Sequence, residues 1–167
     1  MSQIIRQPKQ TDEIKALLDA FVKLQSRIDN KEKRIEALEL TMTAPSIAGY
    51  DGAVGTGGRD TSSKTERNYI KLEELREQLE NMIAEENRSR EEIENMVDLM
   101  EKPNEQTVME MRYLDGSNWW TICAALYGEE PDYDENEKRY LKRTFKLHGS
   151  ALQSLARIHA SITGATT

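Results

Sequence analysis

Apolar side chains recur every three or four residues from Ile14 through Leu17, Phe21, Leu24, Ile28, Ile35, Leu38 and Met42, with Lys31 at the one polar position of the series. This is the a/d spacing of a coiled-coil seam, held over four heptads. It predicts one helix over residues 12–42, with Thr11 or Asp12 as its cap. A second series runs Leu72, Leu75, Leu79, Met82, Glu86, Ser89, Ile93, Met96 and Met100. It predicts a helix from Thr65 to Glu101 that Pro103 ends. Polar seam residues such as Glu86 and Ser89 weaken a coiled coil but fix its register or its partner. Both stripes are narrow and flanked by charge, so each helix needs another to cover it. The seam residues Leu17, Phe21, Leu24, Ile28, Ile35, Leu38, Leu72, Leu75, Leu79, Met82, Ile93 and Met96 fit two arrangements: an antiparallel hairpin within one chain, or a homo-oligomer between chains.

The tract Thr43–Lys64 breaks the periodicity. It holds Pro45 and glycines 49, 52, 55, 57 and 58, and this density of helix breakers predicts a long, partly mobile loop. Gly55-Thr-Gly-Gly within it is not directly followed by a Lys-Ser/Thr pair and is preceded by no strand pattern, which argues against a phosphate-cradling loop.

Beyond Pro103 the repeats shorten. A helix is predicted from Glu105 to Tyr113, then a turn at Asp115-Gly116-Ser117, then a helix from Asn118 to Tyr127 with Trp119, Ile122, Cys123 and Leu126 on one side. Ser117 or Asn118 caps this helix and Gly128 ends it. An acidic linker follows, and a last helix is predicted from Glu135 to Ile158 with the apolar stripe Leu141, Phe145, His148, Leu152 and Leu155. The fold class is therefore all-α: a long helical hairpin or coiled-coil arm followed by a three-helix helix-turn-helix domain. Residues 1–103 form the arm, with the glycine-rich loop at 43–64; residues 104–160 form the helix-turn-helix domain; residues 161–167 are a tail.

Charge sharpens this picture. The whole chain carries a net −7, with 37% hydrophobic and 32% charged residues, but the charge is unevenly spread. Residues 104–136 hold 1 basic and 8 acidic side chains, a net of −7, whereas residues 137–167 hold 6 and 1, a net of +5. Local field rather than total charge decides where phosphate docks. Lys138, Arg139, Lys142, Arg143 and Lys146 recur at spacings that share one helical surface, as a helix lying in a DNA groove requires. They are the candidate contacts to double-stranded DNA, through phosphates and through base edges. The acidic remainder restricts contact to this face.

The segment Arg112-Tyr-Leu-Asp-Gly-Ser-Asn-Trp-Trp-Thr-Ile-Cys resembles the second-helix region of sigma factor region 4-like domains, in which a Trp precedes an Ile-Ala pair by three residues. Trp119, Ile122 and Cys123 fill those places, with Cys123 in place of the usual small alanine. Arg143-Thr-Phe-Lys-Leu-His-Gly-Ser-Ala-Leu resembles the end of the same domain in the ArpU and RinA-like late transcription activators of phages, which also carry helical segments flanking a glycine-rich loop. The tract Gly128–Glu137 is longer than the tight turn of that unit. The resemblance implies a phage-encoded activator of late genes that binds DNA and works with host RNA polymerase inside the bacterial cell.

Other chemistry finds little support. His148 and His159 with one cysteine are too few soft ligands for a zinc site, and the acidic cluster at 132–135 lacks the spacing of a calcium loop. Trp119, His148 and Cys123 read as core residues and Trp120 as half-exposed. No catalytic constellation, cofactor motif or metal site emerges, so no enzyme activity is expected. No apolar run reaches the roughly 18–20 residues of a membrane span. Met1–Thr11 carries no signal-peptide hydrophobic stretch, and with the single cysteine this points to the cytoplasm. Two rivals to the regulator remain at this level: a small terminase-like DNA-packaging protein, and a protein-only coiled-coil adaptor.

Overall fold

The computed structural model describes residues 10–44 and 60–164. Residues 1–9, 45–59 and 165–167 lie outside the described residues, and with them most of the expected glycine-rich loop; residues 60–64, expected in that loop, open α2 instead, and residues 161–164, expected in the tail, continue α5. Among the described residues every regular element is helical: α1 (Gln10–Thr43), α2 (Asp60–Asp98), α3 (Pro103–Met109), one turn of π-helix (Glu110–Leu114), α4 (Trp119–Tyr127) and α5 (Tyr133–Gly164). The fold is all-α with two long helices at its start, as the periodicity predicts.

The chain divides into two compact units, residues 23–87 and residues 1–22 with 88–167. The first is the antiparallel pairing of α1 with α2. Leu24, Ile35, Leu72 and Met82 are buried along the seam, with Ile28, Leu38, Leu75 and Leu79 half-buried. These stripes cover one another within a single chain. The polar seam positions Lys31 and Glu86 are bonded across the pair. The Lys31 ammonium donates to Gln78 Oε1 at 2.6 Å, and the Gln25 amide donates to Glu86 Oε1 at 3.4 Å. An ion pair at 2.7 Å joins Arg76 to Glu39. A one-residue slip would break all three contacts, so they favour this register.

The second unit is not confined to residues after 103. Ile14, Leu18 and Phe21 of α1 and Ile93, Met96, Val97 and Met100 of α2 are buried in one cluster with Met109, Tyr113, Ala151, Leu152, Leu155 and Ala156. Leu17 packs against its edge. Three short helices alone bury too little apolar surface for a stable core, and the ends of the long helices supply the missing part. Pro103 starts α3 rather than ending α2, which already stops at Asp98. Its fixed φ and missing N–H suit the first helical turn, where that donor has no partner in any case. Gly116, with φ +67°, makes the turn into α4. The Asn118 side chain caps α4 by accepting from the Thr121 N–H at 3.0 Å.

Glu105 joins α3 to α5. It is buried, and its carboxylate accepts from Ser150 Oγ at 2.5 Å, Ser154 Oγ at 2.7 Å and Lys102 Nζ at 3.2 Å. Burial pushes its carboxyl pKa up, but the hydrogen bonds from Ser150, Ser154 and Lys102 outweigh this and hold it below the ordinary value of 4.5.

Candidate nucleic-acid interface

α4 packs on α5 across a turn made of two short hydrogen-bonded steps, Glu130 N–H to Tyr127 C=O and Tyr133 N–H to Glu130 C=O, each 3.0 Å. Gly128 closes α4, its N–H donating to Ala124 C=O at 2.7 Å. A Cβ at this position would sit 2.5 Å from that same oxygen, so only glycine fits. α5 then begins at Tyr133 but is interrupted at Asn136, whose φ of −127° and ψ of 23° are not helical. The Asn136 amide donates to both the backbone and the side-chain oxygens of Asp132 at 3.2 Å, and the Tyr140 hydroxyl donates to Asp132 Oδ1 at 2.6 Å. Asp132 thereby anchors the start of the uninterrupted helix. The extra length of the acidic linker is taken up in this anchor.

All five predicted cations lie on that helix and are exposed: Lys138, Arg139, Lys142, Arg143 and Lys146. At about 100° per residue they span an arc of about 140°. Its centre lies opposite Thr144, Ala151 and Leu155, which are buried against the core. The five are not equivalent. Arg139 approaches Asp132 Oδ2 at 4.0 Å. The Arg143 guanidinium lies over the rings of Tyr127 and Tyr140, 5.1 and 5.4 Å from their centroids. The three lysines project from the exposed face.

The buried stripe of α5 differs from the expected one. Phe145 is 45% exposed and Leu141 only half-buried, whereas Tyr140 and Thr144 are buried. Hydrophobicity selects Leu141 and Phe145, but satisfied polar atoms let their neighbours go inside. Tyr140 donates to Asp132, and Thr144 donates to the Tyr140 carbonyl at 3.0 Å. Phe145 retains an edge contact with Trp119, ring centroids 5.1 Å apart. Ile122 and Cys123 are fully buried, Trp119 is half-buried under the Arg112 guanidinium at 4.8 Å, and Trp120 is 49% exposed. Asp132, Tyr127 and Tyr140 were not among the expected site residues. No regular spacing signals them: Tyr127 ends α4, Asp132 precedes α5, and the break at Asn136 separates Tyr140 from both.

His148 does not contribute positive charge. It is half-buried, its Nε2 lies 2.9 Å from the Tyr113 hydroxyl, and Trp119 meets its ring edge-on at 4.9 Å. Burial, then the nearby charges of Arg112 and Lys15, lower its pKa from 6.5 to about 4. The unfolded chain therefore binds a proton below pH 6.5 that the folded chain refuses until about pH 4. The stability due to neutral His148 is complete above pH 6.5 and is lost as pH falls through that window. Between pH 7 and pH 5 the wild-type chain is expected to lose about 1–2 kcal/mol that His148→Gln does not lose. Urea denaturation of both proteins at the two pH values checks this, and equal losses would contradict it.

Among the described residues no helix is long and apolar enough to cross a membrane, and no group of three or more His, Cys, Asp or Glu side chains is placed to hold a metal ion. Fold and surface together define the class: an all-helical protein that presents one cationic helix face on an otherwise acidic chain. The chain belongs to the DUF1492 family, described as proteins of unknown function, with the match covering residues 49–142. That span includes α2, α3, α4 and the first part of the cationic helix. No curated protein and no solved structure matches the chain.

Proposed function

We propose that this protein is a sequence-specific double-stranded DNA-binding transcription regulator. The observation that carries this reading is the exposed arc of five cations on α5, the second helix of a helix-turn-helix pair, opposite its buried stripe. A helix so placed can lie along a groove while the helix before it braces it. Acidic groups elsewhere, Asp134, Glu135 and Glu137 among them, oppose phosphate and confine docking to that arc. The resemblance to ArpU and RinA-like proteins supports a phage late-gene activator working with host RNA polymerase in the bacterial cytoplasm.

Assembly into a homo-oligomer is part of the proposal, since two linked DNA-binding units gain affinity through effective concentration. The hairpin seam is covered within one chain, so a second copy would meet the side chains left outside it. Among the described residues, Leu40, Tyr69, Ile70 and Ile83 are the exposed large apolar ones of that unit.

Nuclease footprinting of the purified protein on duplexes from its own genomic neighbourhood tests the reading. Protection of a defined segment is expected, with log affinity falling linearly with log salt at about 0.9 per phosphate contact. A chain that protects no segment, even at low salt, is not a DNA-binding regulator.

A further inference from the structure

Arg143 is held differently from every other cation on the α5 face. Its guanidinium lies against two tyrosine rings, Tyr127 at the end of α4 and Tyr140 on α5, and these rings are 5.2 Å apart. Both are themselves fixed. Tyr140 is buried and donates to Asp132, and Tyr127 is the last residue before the Gly128 closure. A guanidinium stacked on aromatic faces keeps its plane, while its N–H edges remain available in a rigid fork. An ammonium on a flexible stem has no such preferred plane, so Lys138, Lys142 and Lys146 suit phosphates, which are met as point charges.

We infer that Arg143 is the side chain that reads sequence, forking onto the O6 and N7 acceptors of a guanine in the major groove, and that Tyr127 and Tyr140 are its positioning residues. This rests on the DNA-binding reading above and divides the cationic face into one reader and several phosphate contacts.

Selection from a randomised duplex pool, followed by affinity measurement on the selected duplex, tests the division. The wild-type chain is expected to select one invariant guanine and to lose about ten-fold or more in affinity when 7-deazaguanine, which lacks the N7 acceptor, replaces it. Arg143→Lys keeps the charge and the salt slope but loses this preference. Tyr127→Leu behaves like Arg143→Lys, and Tyr127→Phe, which keeps the ring, behaves like wild type. A purely structural role for the stack would lower the melting temperature without changing base preference. The inference is overturned if Arg143→Lys still discriminates 7-deazaguanine as wild type does, or if Tyr127→Leu keeps the preference. In either case the lysine contacts and the DNA-binding reading survive. If the wild-type chain binds no duplex in the pool, both readings fall together.

Discussion

Replacing Lys138, Lys142 and Lys146 together by alanine is expected to lower duplex DNA affinity by on the order of 10²–10³-fold at about 0.1 M salt. The three stand four residues apart on one line of α5 and are exposed. Each lost phosphate contact removes about 0.9 from the slope of log affinity against log salt, so the triple variant should flatten that slope by about 2.7. Alanine is a good helix former and the three side chains lie away from the buried stripe, so helix content and melting temperature should stay near wild type. Gel shifts across a salt series read both quantities. A triple variant with the wild-type slope would place the phosphate contacts on another surface.

The long helices were legible because their information is local. Leu24, Ile35, Leu72 and Met82 announce a seam through spacing alone, and spacing survives without knowledge of the partner. The same holds for the cationic arc, since five like charges in nine positions share a surface on any regular helix. The seam could not say whether its partner lay in the same chain, because hairpin and oligomer bury the same residues. What the spacing missed depends on contacts between distant residues or on polar groups that go inside. Tyr140 and Thr144 replace Phe145 in the core because their hydroxyls are satisfied, which hydrophobicity does not register. Pro103 looks like a terminator from the α2 side and is an initiator from the α3 side, and only the stop of α2 at Asp98 decides between them. The stack of Arg143 on Tyr127 requires α4 and α5 to be folded together before it exists.

The linkage of α3 to α5 through Glu105 is the clearest such case, as its serine partners lie 45 and 49 residues further along the chain. Nothing in the local sequence marks this glutamate as internal, yet it is 1% exposed and bridges the two helices that frame the core of its unit. Glu105→Ala removes three charge-assisted hydrogen bonds, leaves Ser150 and Ser154 without that acceptor and opens a cavity beside them. We expect a loss of about 2–4 kcal/mol in unfolding free energy. For a chain of this size that lowers the melting temperature by about 5–15 °C. Glu105→Gln keeps the shape and one acceptor oxygen, so it should lose roughly half as much. The two variants also separate charge from packing. The wild-type carboxyl is held below its ordinary value, so its contribution is present above about pH 4.5 and is lost as pH falls through the folded-state value. Glu105→Gln should lack this acid-side loss, and the gap between it and the wild type should narrow below that pH. Thermal unfolding at pH 7 and pH 3.5 decides the matter: Glu105→Ala melting within a degree or two of wild type at pH 7 would mean that the α3–α5 link is carried by the surrounding apolar contacts instead.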